Sequence, residues 1–208
     1  MKAFVSTGDP AEPVVLAEVP EPTPRANEAL VKVEAFSVNR GETFKLEAPV
    51  PGVRPGKDIA GLVVQPAADG SAPAGIAHVV GHPMAGGWVE FAAVPTDALA
   101  VLPDTVSSLE GAALPLAGLT ALRLMRTAGP VLGRRVLLTG APGGVGHYVT
   151  ELTASAGAEV IAVTRDAERG ARLIELGAAE IVHDLADARG PYDIVLESTD
   201  GEAVLTLS

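Results

Sequence analysis

The chain has 208 residues, of which 48% are hydrophobic, so it can bury a substantial core and suits two small domains better than one. Its formal net charge of −11 argues against a nucleic-acid-binding surface and against binding to an anionic membrane. It contains no cysteine, which excludes disulfides and thiolate metal sites and agrees with a reducing cytoplasm. The amino terminus lacks an apolar signal segment, and no apolar run approaches membrane-spanning length. We therefore expect a soluble cytoplasmic protein.

The first hundred residues predict a mostly antiparallel, barrel-like β domain. Short β-prone runs alternate there with connections rich in proline and glycine. The segment 29–33 alternates around Lys32, as in a sheet with one face in water. Gly61 interrupts an apolar run, and such a glycine marks a bulge or a close approach of neighbouring backbone. The run SVNRGETF predicts a loop that enters a short helix. The strands are expected at residues 2–5, 13–19, 28–38, 58–64, 76–80 and 88–94.

Two helices are predicted to bridge this β domain to the second half of the chain. Ser107 and Glu110 form the S-x-x-E pattern of a capping box, which opens the first helix. Residues 114–125 are strongly apolar and predict the second helix. The segment 127–133 contains Gly-Pro and a further Gly, which are loop signals. We therefore expect one domain over residues 1–127 and another over residues 128–208.

The most informative stretch, residues 135–165, has the pattern of a strand, a glycine-rich turn, a helix and a second strand. The turn places small residues at the three positions of a dinucleotide-binding fingerprint, A-x-G-x-x-G. Small residues there leave the N–H groups at the helix start open to a diphosphate. A glycine-rich turn in another kind of α/β protein is the alternative. The residues predicted to bind the diphosphate are Ala141, Gly143, Gly144, Val145 and Gly146.

The end of the second strand in this stretch indicates which nucleotide is bound. NAD-binding proteins usually place an acid there to accept from the ribose 2′-hydroxyl. Here the strand ends in Thr164 and Arg165, a hydroxyl beside a guanidinium, which suits the 2′-phosphate of NADPH. Arg169, one helical turn further on, would add a second positive charge. Asp166 is the competing acid, but an aspartate at a helix start typically caps the helix. We predict NADPH rather than NADH; the alternative is that both arginines are simply solvated.

The pattern continues as an incomplete doubly wound parallel sheet. Residues 167–176 predict a helix closed by Gly177, and residues 181–182 and 194–196 predict the third and fourth parallel strands. A full Rossmann sheet has six strands in the order 3-2-1-4-5-6. The sequence supplies four and ends at Ser208, just inside a following helix, so we expect a truncated chain whose fourth strand is an open edge.

In their order along the chain, these parts resemble the medium-chain dehydrogenase/reductase superfamily, specifically its zinc-independent quinone oxidoreductase branch. The motifs that carry the resemblance cover nearly the whole chain: VKVEAFSVNRGETF, GKDIAGLVV, GGWVEF, ALPLAGLTAL, VLLTGAPGGVG and ELGAAEIV. The resemblance implies an α/β protein with a GroES-like domain, an NADP-binding Rossmann domain and a homodimer in the full-length form. It also implies hydride transfer from NADPH to a quinone or an α,β-unsaturated carbonyl, without zinc.

The chain departs from the zinc-dependent branch of that superfamily at the ligand positions. The zinc branch has a catalytic cysteine in the motif that matches residues 35–42, and a Gly-His-Glu where this chain has Gly56-Lys57-Asp58. Asn39 and Lys57 stand at those ligand positions, and neither an amide nor an ammonium replaces thiolate or imidazole around zinc. The four histidines show no ligand spacing. We therefore expect a metal-free mechanism.

The resemblance implies two catalytic residues. Asn39 matches the family pattern N-x-x-[D/E]-T-[Y/F] and is expected to donate from its amide to a developing oxyanion; a turn asparagine bonded to local backbone is the alternative. Thr120 matches a family position that faces the nicotinamide carboxamide. The alternative is a helix threonine whose hydroxyl bonds back to a backbone carbonyl. Many relatives have a tyrosine where this chain has Phe44, so the proton comes from water or the substrate differs. His82 and Trp88 are candidates for the cleft, although core packing or a surface loop also accounts for them.

Two other functions remain open at this point. One is a nucleotide-binding module without catalysis, which Phe44 and the incomplete sheet favour. The other is an enoyl-thioester reductase of lipid or polyketide synthesis. It shares the same chemistry and differs in its substrate pocket.

Overall fold

The structure, a computed structural model, describes residues 1–71, 73 and 75–198. These residues contain eleven strands and five α-helices in two compact units, each with its own hydrophobic core. Among the described residues, every helix is too short or too polar to cross a membrane. The helix predicted just before Ser208 lies outside the described residues.

The first unit, Met1–Leu116, is built from antiparallel strands. Its elements are β1 (Lys2–Ser6), β2 (Val14–Glu18), β3 (Glu28–Phe36), α1 (Arg40–Glu47), β4 (Ile59–Gln65), β5 (His78–Gly81), β6 (Phe91–Pro95), β7 (Leu99–Val101) and α2 (Ser108–Ala112). β1 pairs with β2, and the other strands form a sheet in the order β6-β3-β4-β5-β7. The antiparallel β domain predicted from the sequence is confirmed. β7 was not predicted.

The pairing of β3 with β4 explains the glycine inside the apolar run. Along β3 the alternation predicted around Lys32 is present, since Val31 is buried and Lys32 is exposed. Gly61 pairs with Val33, and a Cβ on Gly61 would collide with the carbonyl oxygen of Lys32. The register shifts beside this contact, between Val33 and Ala35. The predicted close approach of backbone at Gly61 is therefore confirmed.

The second unit begins at Ala117 and is organised on a parallel sheet. Its elements are α3 (Pro115–Ala128, which starts just before the boundary), β8 (Arg135–Leu138), α4 (Gly144–Ser155), β9 (Glu159–Val163), α5 (Ala167–Glu175), β10 (Glu180–Val182) and β11 (Ile194–Leu196). The strands lie in the order β10-β9-β8-β11, all parallel. Numbered among themselves, they are ordered 3-2-1-4, as in a doubly wound dinucleotide-binding fold. The predicted fold class is confirmed.

The boundary between the units lies at the start of α3, whereas residues 127–133 at its other end were expected to contain it. The physical reason is the packing of α3. Ala121 is fully buried in the core of the second unit, and the partly buried Leu124 and Ala128 pack against that core. The helix therefore belongs mainly to the second unit, although its apolar sequence alone does not reveal on which side it packs.

The helix ends use the residues that the sequence predicted. At α2, Glu110 accepts from the Ser107 backbone N–H at 2.9 Å, and the Ser107 hydroxyl accepts from the Glu110 N–H at 3.3 Å. The Ser107 hydroxyl also donates to Glu110, and this bond, with that of the backbone N–H, lowers the pKa of the Glu110 carboxyl. Asp166 caps α5 by accepting from the Arg169 N–H at 3.0 Å. Gly177 follows α5 with a φ of 100°, a conformation that favours glycine.

Candidate functional site

The glycine-rich turn joins β8 to α4, beside the point where the sheet reverses its strand order. Gly140 has a φ of 63°, and Gly143 precedes α4 in an extended conformation. A Cβ on Gly146 would lie 2.5 Å from the Gly140 carbonyl oxygen and closer still to that of Ala141. This is the close approach of helix to strand that the third position of the fingerprint requires.

The first turn of α4 offers backbone donors rather than side chains. The N–H groups of Gly144, Val145 and Gly146 precede the first hydrogen bond within the helix, so their own helix supplies no acceptor. Together with the helix dipole they favour an anion at this end. The Ala141 side chain is fully buried in the hydrophobic core, and Val145 packs against the same core. These two residues therefore contribute packing and backbone rather than side-chain contacts to a ligand.

A cavity of about 380 Å³ lies at the carboxyl ends of β8, β9 and β10. Doubly wound sheets bind nucleotides at the carboxyl ends of their strands. The cavity brings the predicted Thr164 and Arg165 together with the glycine-rich turn. Its walls are Thr139, Gly140 and Pro142 after β8, Val163, Thr164 and Arg165 at the end of β9, and His183, Asp184 and Leu185 after β10.

The two arginines predicted to bind the 2′-phosphate occupy different places. The Arg165 side chain is exposed, lines the cavity and makes no ion pair with any residue that the structure describes. Arg169 does not line the cavity, since its guanidinium lies 3.4 Å from the carboxylate of Asp166 and its side chain is 64% exposed. Arg165 is thus the arginine that lines the cavity, and the second charge from Arg169 stays a prediction. Asp166 caps α5, as expected.

His183 is a cavity residue that the sequence analysis missed. Its Nδ1 lies 3.0 Å from the carbonyl oxygen of Thr164. A carbonyl oxygen only accepts, so Nδ1 carries the hydrogen and Nε2 is left for a ligand. Asp184 also lines the cavity and accepts from the Ala186 N–H at 2.9 Å. Their position in the sequence could have identified them, because both residues directly follow the predicted third strand.

In the first unit, a fully buried carboxylate collects four hydrogen bonds. Asp58 is 0% exposed. Its Oδ2 accepts from the Ser37 hydroxyl at 2.9 Å and from the Asn39 amide nitrogen at 2.8 Å. Its Oδ1 accepts from the Leu116 N–H at 3.0 Å and from Nδ1 of His82 at 2.9 Å. Buried carboxylates persist only when they are paired and hydrogen-bonded, and this one meets that condition.

Asn39 is held in place at the start of α1. Its backbone N–H donates to the Glu42 carboxylate at 2.5 Å, and its amide nitrogen donates to Asp58 at 2.8 Å and to the Ser37 hydroxyl at 3.3 Å. An amide nitrogen has two hydrogens, and these two acceptors lie only 2.9 Å from each other, on the same side of the nitrogen. The Asn39 side chain also takes part in a capping box with the backbone of Glu42, as in the alternative of a turn asparagine bonded to local backbone. That Asn39 donates from its amide to an oxyanion stays a prediction.

The other candidate residues differ in whether their side chains are open to a ligand or packed inside the protein. Thr120 is half-buried on α3, and within the described residues its hydroxyl makes no hydrogen bond, unlike that of Thr127, which donates to the Arg123 carbonyl at 3.0 Å. The back-bonded alternative for Thr120 is thus not what the structure shows. Phe44 is more than half exposed on α1. Trp88 is buried and donates to a backbone carbonyl at 3.0 Å, which is a packing role.

Known proteins show the same arrangement over nearly the whole chain. No family profile matches. A chloroplast envelope quinone oxidoreductase homolog from Arabidopsis thaliana is 37% identical over 96% of this chain and 64% of its own length. The quinone oxidoreductase from Coxiella burnetii, at 26% identity, superimposes with a TM-score of 0.90 over 99% of this chain and 71% of that one. The chain belongs to the quinone oxidoreductase family of the medium-chain dehydrogenase/reductase superfamily.

A second quinone oxidoreductase, from Thermus thermophilus, was solved alone and with NADPH. It is 29% identical and matches with a TM-score of 0.83 over 99% of this chain and 69% of that one. The resemblance carried by the six sequence motifs is thereby confirmed. The chain spans 64% and 60% of the length of two curated quinone oxidoreductase homologs that it matches.

Proposed function

We propose that the full protein is an NADPH-dependent oxidoreductase that reduces a quinone or an α,β-unsaturated carbonyl. The observation that carries the proposal is the cavity at the carboxyl ends of β8, β9 and β10, where the glycine-rich turn meets Arg165, which makes no ion pair with a described residue. The quinone oxidoreductase names of its relatives and the NADPH complex of the Thermus thermophilus protein support it. The bound reduced nicotinamide would supply the hydride.

The chain's own residues fit the cofactor. In this proposal the N–H groups of Gly144, Val145 and Gly146 bind the diphosphate, and Gly143 leaves room for it to approach. Arg165 pairs with the 2′-phosphate. Thr164 is buried, and its hydroxyl accepts from the Asp166 N–H at 3.2 Å, which orders the turn that carries Arg165. Thr120 offers a hydroxyl on α3 that makes no hydrogen bond with the residues that the structure describes.

Arg165→Glu is expected to weaken NADPH binding by about 10- to 100-fold and NADH binding by less than about 3-fold. The reason is that a charge-assisted bond to a phosphate is worth roughly 1.5–3 kcal/mol and the substitution replaces it with repulsion. Calorimetric titration of each cofactor measures the difference. Arg169→Glu is the matched control and should change NADPH affinity less, because its guanidinium is ion-paired with Asp166. Equal losses of both cofactors in Arg165→Glu would refute the 2′-phosphate role.

We further propose that the reaction needs no zinc. Asn39 and Lys57 stand at the two positions where the zinc branch has ligands, and the Asn39 amide nitrogen is already bonded to Asp58. Among the residues that the structure describes, no three histidine or carboxylate side chains gather as a metal site would require. The lack of thiolate and imidazole at the ligand positions supports the proposal.

The direct test is NADPH consumption by the full-length protein, with 1,4-benzoquinone and 2-cyclohexenone as acceptors and a chelator present throughout. We expect turnover with at least one acceptor and no effect of the chelator. If neither acceptor is reduced, the oxidoreductase proposal fails. If turnover stops with the chelator and returns with zinc, the metal-free proposal fails.

A second candidate function is a module that binds NADPH without catalysis. Two observations favour it: Phe44 has no hydroxyl, and the Asn39 amide nitrogen is already bonded to Asp58 and to the Ser37 hydroxyl. Calorimetric binding of NADPH together with inert acceptors would support this function. That the protein is an enoyl-thioester reductase and that its full-length form is a homodimer both stay predictions.

A further inference from the structure

A second cavity, of about 310 Å³, lies within the first unit. One wall is α1, through Glu42, Lys45 and Leu46. The other walls are the end of β1, the segment 48–57 and residues 84–85, which belong to the connection between β5 and β6. Pockets that hold small molecules start at about 300 Å³, so this cavity suits a ligand built on a single ring.

Backbone hydrogen bonds fix the walls of this cavity. The Ser6 N–H donates to the Val53 carbonyl at 2.8 Å, which joins the end of β1 to the segment 48–57. The Gly86 N–H donates to the Arg54 carbonyl at 3.1 Å, which joins the same segment to the connection after β5. The cavity therefore has its shape before a ligand arrives, and a preformed site loses less entropy on binding.

Exposed apolar side chains stand around the cavity. Val50, Val53 and Met84 line it and are 62%, 49% and 65% exposed. Met84 has a φ of 65°, and in the described part of the chain it is the one residue other than glycine with a positive φ. Strained backbone of this kind clusters at ligand-binding sites. The apolar body of a ligand would cover these side chains and remove their surface from water.

Three cations line the same cavity. Lys45 and Arg54 are exposed, and Lys57 is partly buried. None of the three forms an ion pair with a residue that the structure describes, although the chain has 26 acidic residues against 15 lysines and arginines. Glu42 is the one acid in the lining, so the wall has an excess of positive charge. A wall of this charge attracts an anion.

Two buried polar atoms of the wall residues lack a partner. Glu42 is 3% exposed, and its Oε2 accepts from the Asn39 N–H, whereas its Oε1 has no partner among the described residues. The Ser6 hydroxyl, in a residue that is 5% exposed, has none either. Buried polar atoms in proteins are nearly always hydrogen-bonded. Because a carboxylate oxygen only accepts, the group that completes Oε1 must carry a hydrogen, as a ligand hydroxyl does.

We propose that this cavity binds a small hydroxylated carboxylate with an apolar body, a class of which 4-hydroxybenzoate is a simple member. The ring lies against Val50, Val53 and Met84. The ligand hydroxyl donates to Glu42 Oε1, and the ligand carboxylate pairs with Arg54, whose guanidinium can form two parallel bonds with it. Binding there needs no cofactor and does not depend on the proposed function.

Calorimetric titration of the purified chain with 4-hydroxybenzoate is the first test. We expect a dissociation constant below about 1 mM, which is within reach of a ligand of about ten heavy atoms. The analogue 4-hydroxybenzamide replaces the carboxylate with a neutral amide, and benzoate lacks the hydroxyl. Each should bind at least about 5-fold more weakly, and added salt should weaken 4-hydroxybenzoate. Equal binding of the amide would overturn the role of the cations, and equal binding of benzoate would overturn that of Glu42.

Methionine methyl resonances locate the bound ligand. The chain has three methionines, of which Met84 lines the cavity and Met125 lies on α3 in the second unit. We expect 4-hydroxybenzoate to shift the Met84 methyl resonance and to leave that of Met125 in place. Binding that leaves the Met84 resonance unmoved would overturn the assignment of the ligand to this cavity.

Arg54→Gln is expected to weaken 4-hydroxybenzoate about 5-fold, because one of the charge-assisted bonds to the carboxylate is lost. Arg25→Gln is the matched control, since Arg25 is an exposed arginine of the first unit that does not line the cavity. It should bind like the parent, and both variants should melt at the parent midpoint. If Arg54→Gln also binds like the parent, or if the folded parent binds no 4-hydroxybenzoate, the inference fails. Neither result touches the proposed function, which NADPH consumption tests separately.

Discussion

Gly146→Ala is expected to lower NADPH affinity at least about 100-fold, which corresponds to roughly 2.7 kcal/mol. A Cβ at this position would lie 2.5 Å from the Gly140 carbonyl oxygen and closer still to that of Ala141. Both contacts are with backbone, so no side-chain rotation relieves them, and α4 must move away from the turn. The movement displaces the N–H groups of the first helical turn. Calorimetric titration with NADPH measures the loss, and chemical denaturation should show destabilisation of about 1–3 kcal/mol.

Gly118→Ala is the matched control for this substitution. Gly118 lies inside α3, and a Cβ there would meet nothing within 4 Å. Alanine is the better helix former by up to about 1 kcal/mol, so the variant should be as stable as the parent or slightly more stable, with parent NADPH affinity. If Gly146→Ala binds NADPH like Gly118→Ala, the close approach of helix to strand is not needed for the cofactor.

The features that could be predicted from the sequence are those that depend on local pattern. A buried strand, a glycine-rich turn and an amphipathic helix follow one another within about thirty residues, so the parallel sheet of the second unit could be predicted. The caps at Ser107 and Asp166 depend on residues three positions apart. The ion pair of Arg169 with Asp166 has the same spacing and could also have been predicted. The role of Arg169 at the 2′-phosphate stays a prediction.

The features that could not be predicted depend on how distant elements meet. β7 has three residues, two of them exposed, and owes its existence to pairing with β5. The cavity wall joins the end of β9 to His183, and only the strand order brings them together. The Asp58 network gathers five residues from four places in the chain, and no periodicity in the sequence marks them as neighbours. A family motif singled out Asn39 as a candidate, but the motif does not show that its amide nitrogen is bonded to Asp58.

Asp58→Asn is expected to lower the free energy of unfolding by about 1–3 kcal/mol, the cost of leaving a buried hydrogen-bond donor without its acceptor. The substitution preserves shape, so it creates no cavity, but it replaces one acceptor oxygen with an NH₂ group. On the Oδ1 side that group would face the Leu116 N–H, which cannot turn to accept. On the Oδ2 side it would face the Asn39 amide nitrogen. In either orientation a buried donor loses its acceptor.

Chemical denaturation of the purified chain measures this loss, with Asp166→Asn as the control. Asparagine is as good a helix cap as aspartate, and Asp166 lies at an exposed helix start, so the control should change stability by less than about 0.5 kcal/mol. If Asp58→Asn unfolds at the denaturant midpoint of the parent, the four hydrogen bonds contribute little. Neither Asn39 nor His82 would then be held firmly by this carboxylate.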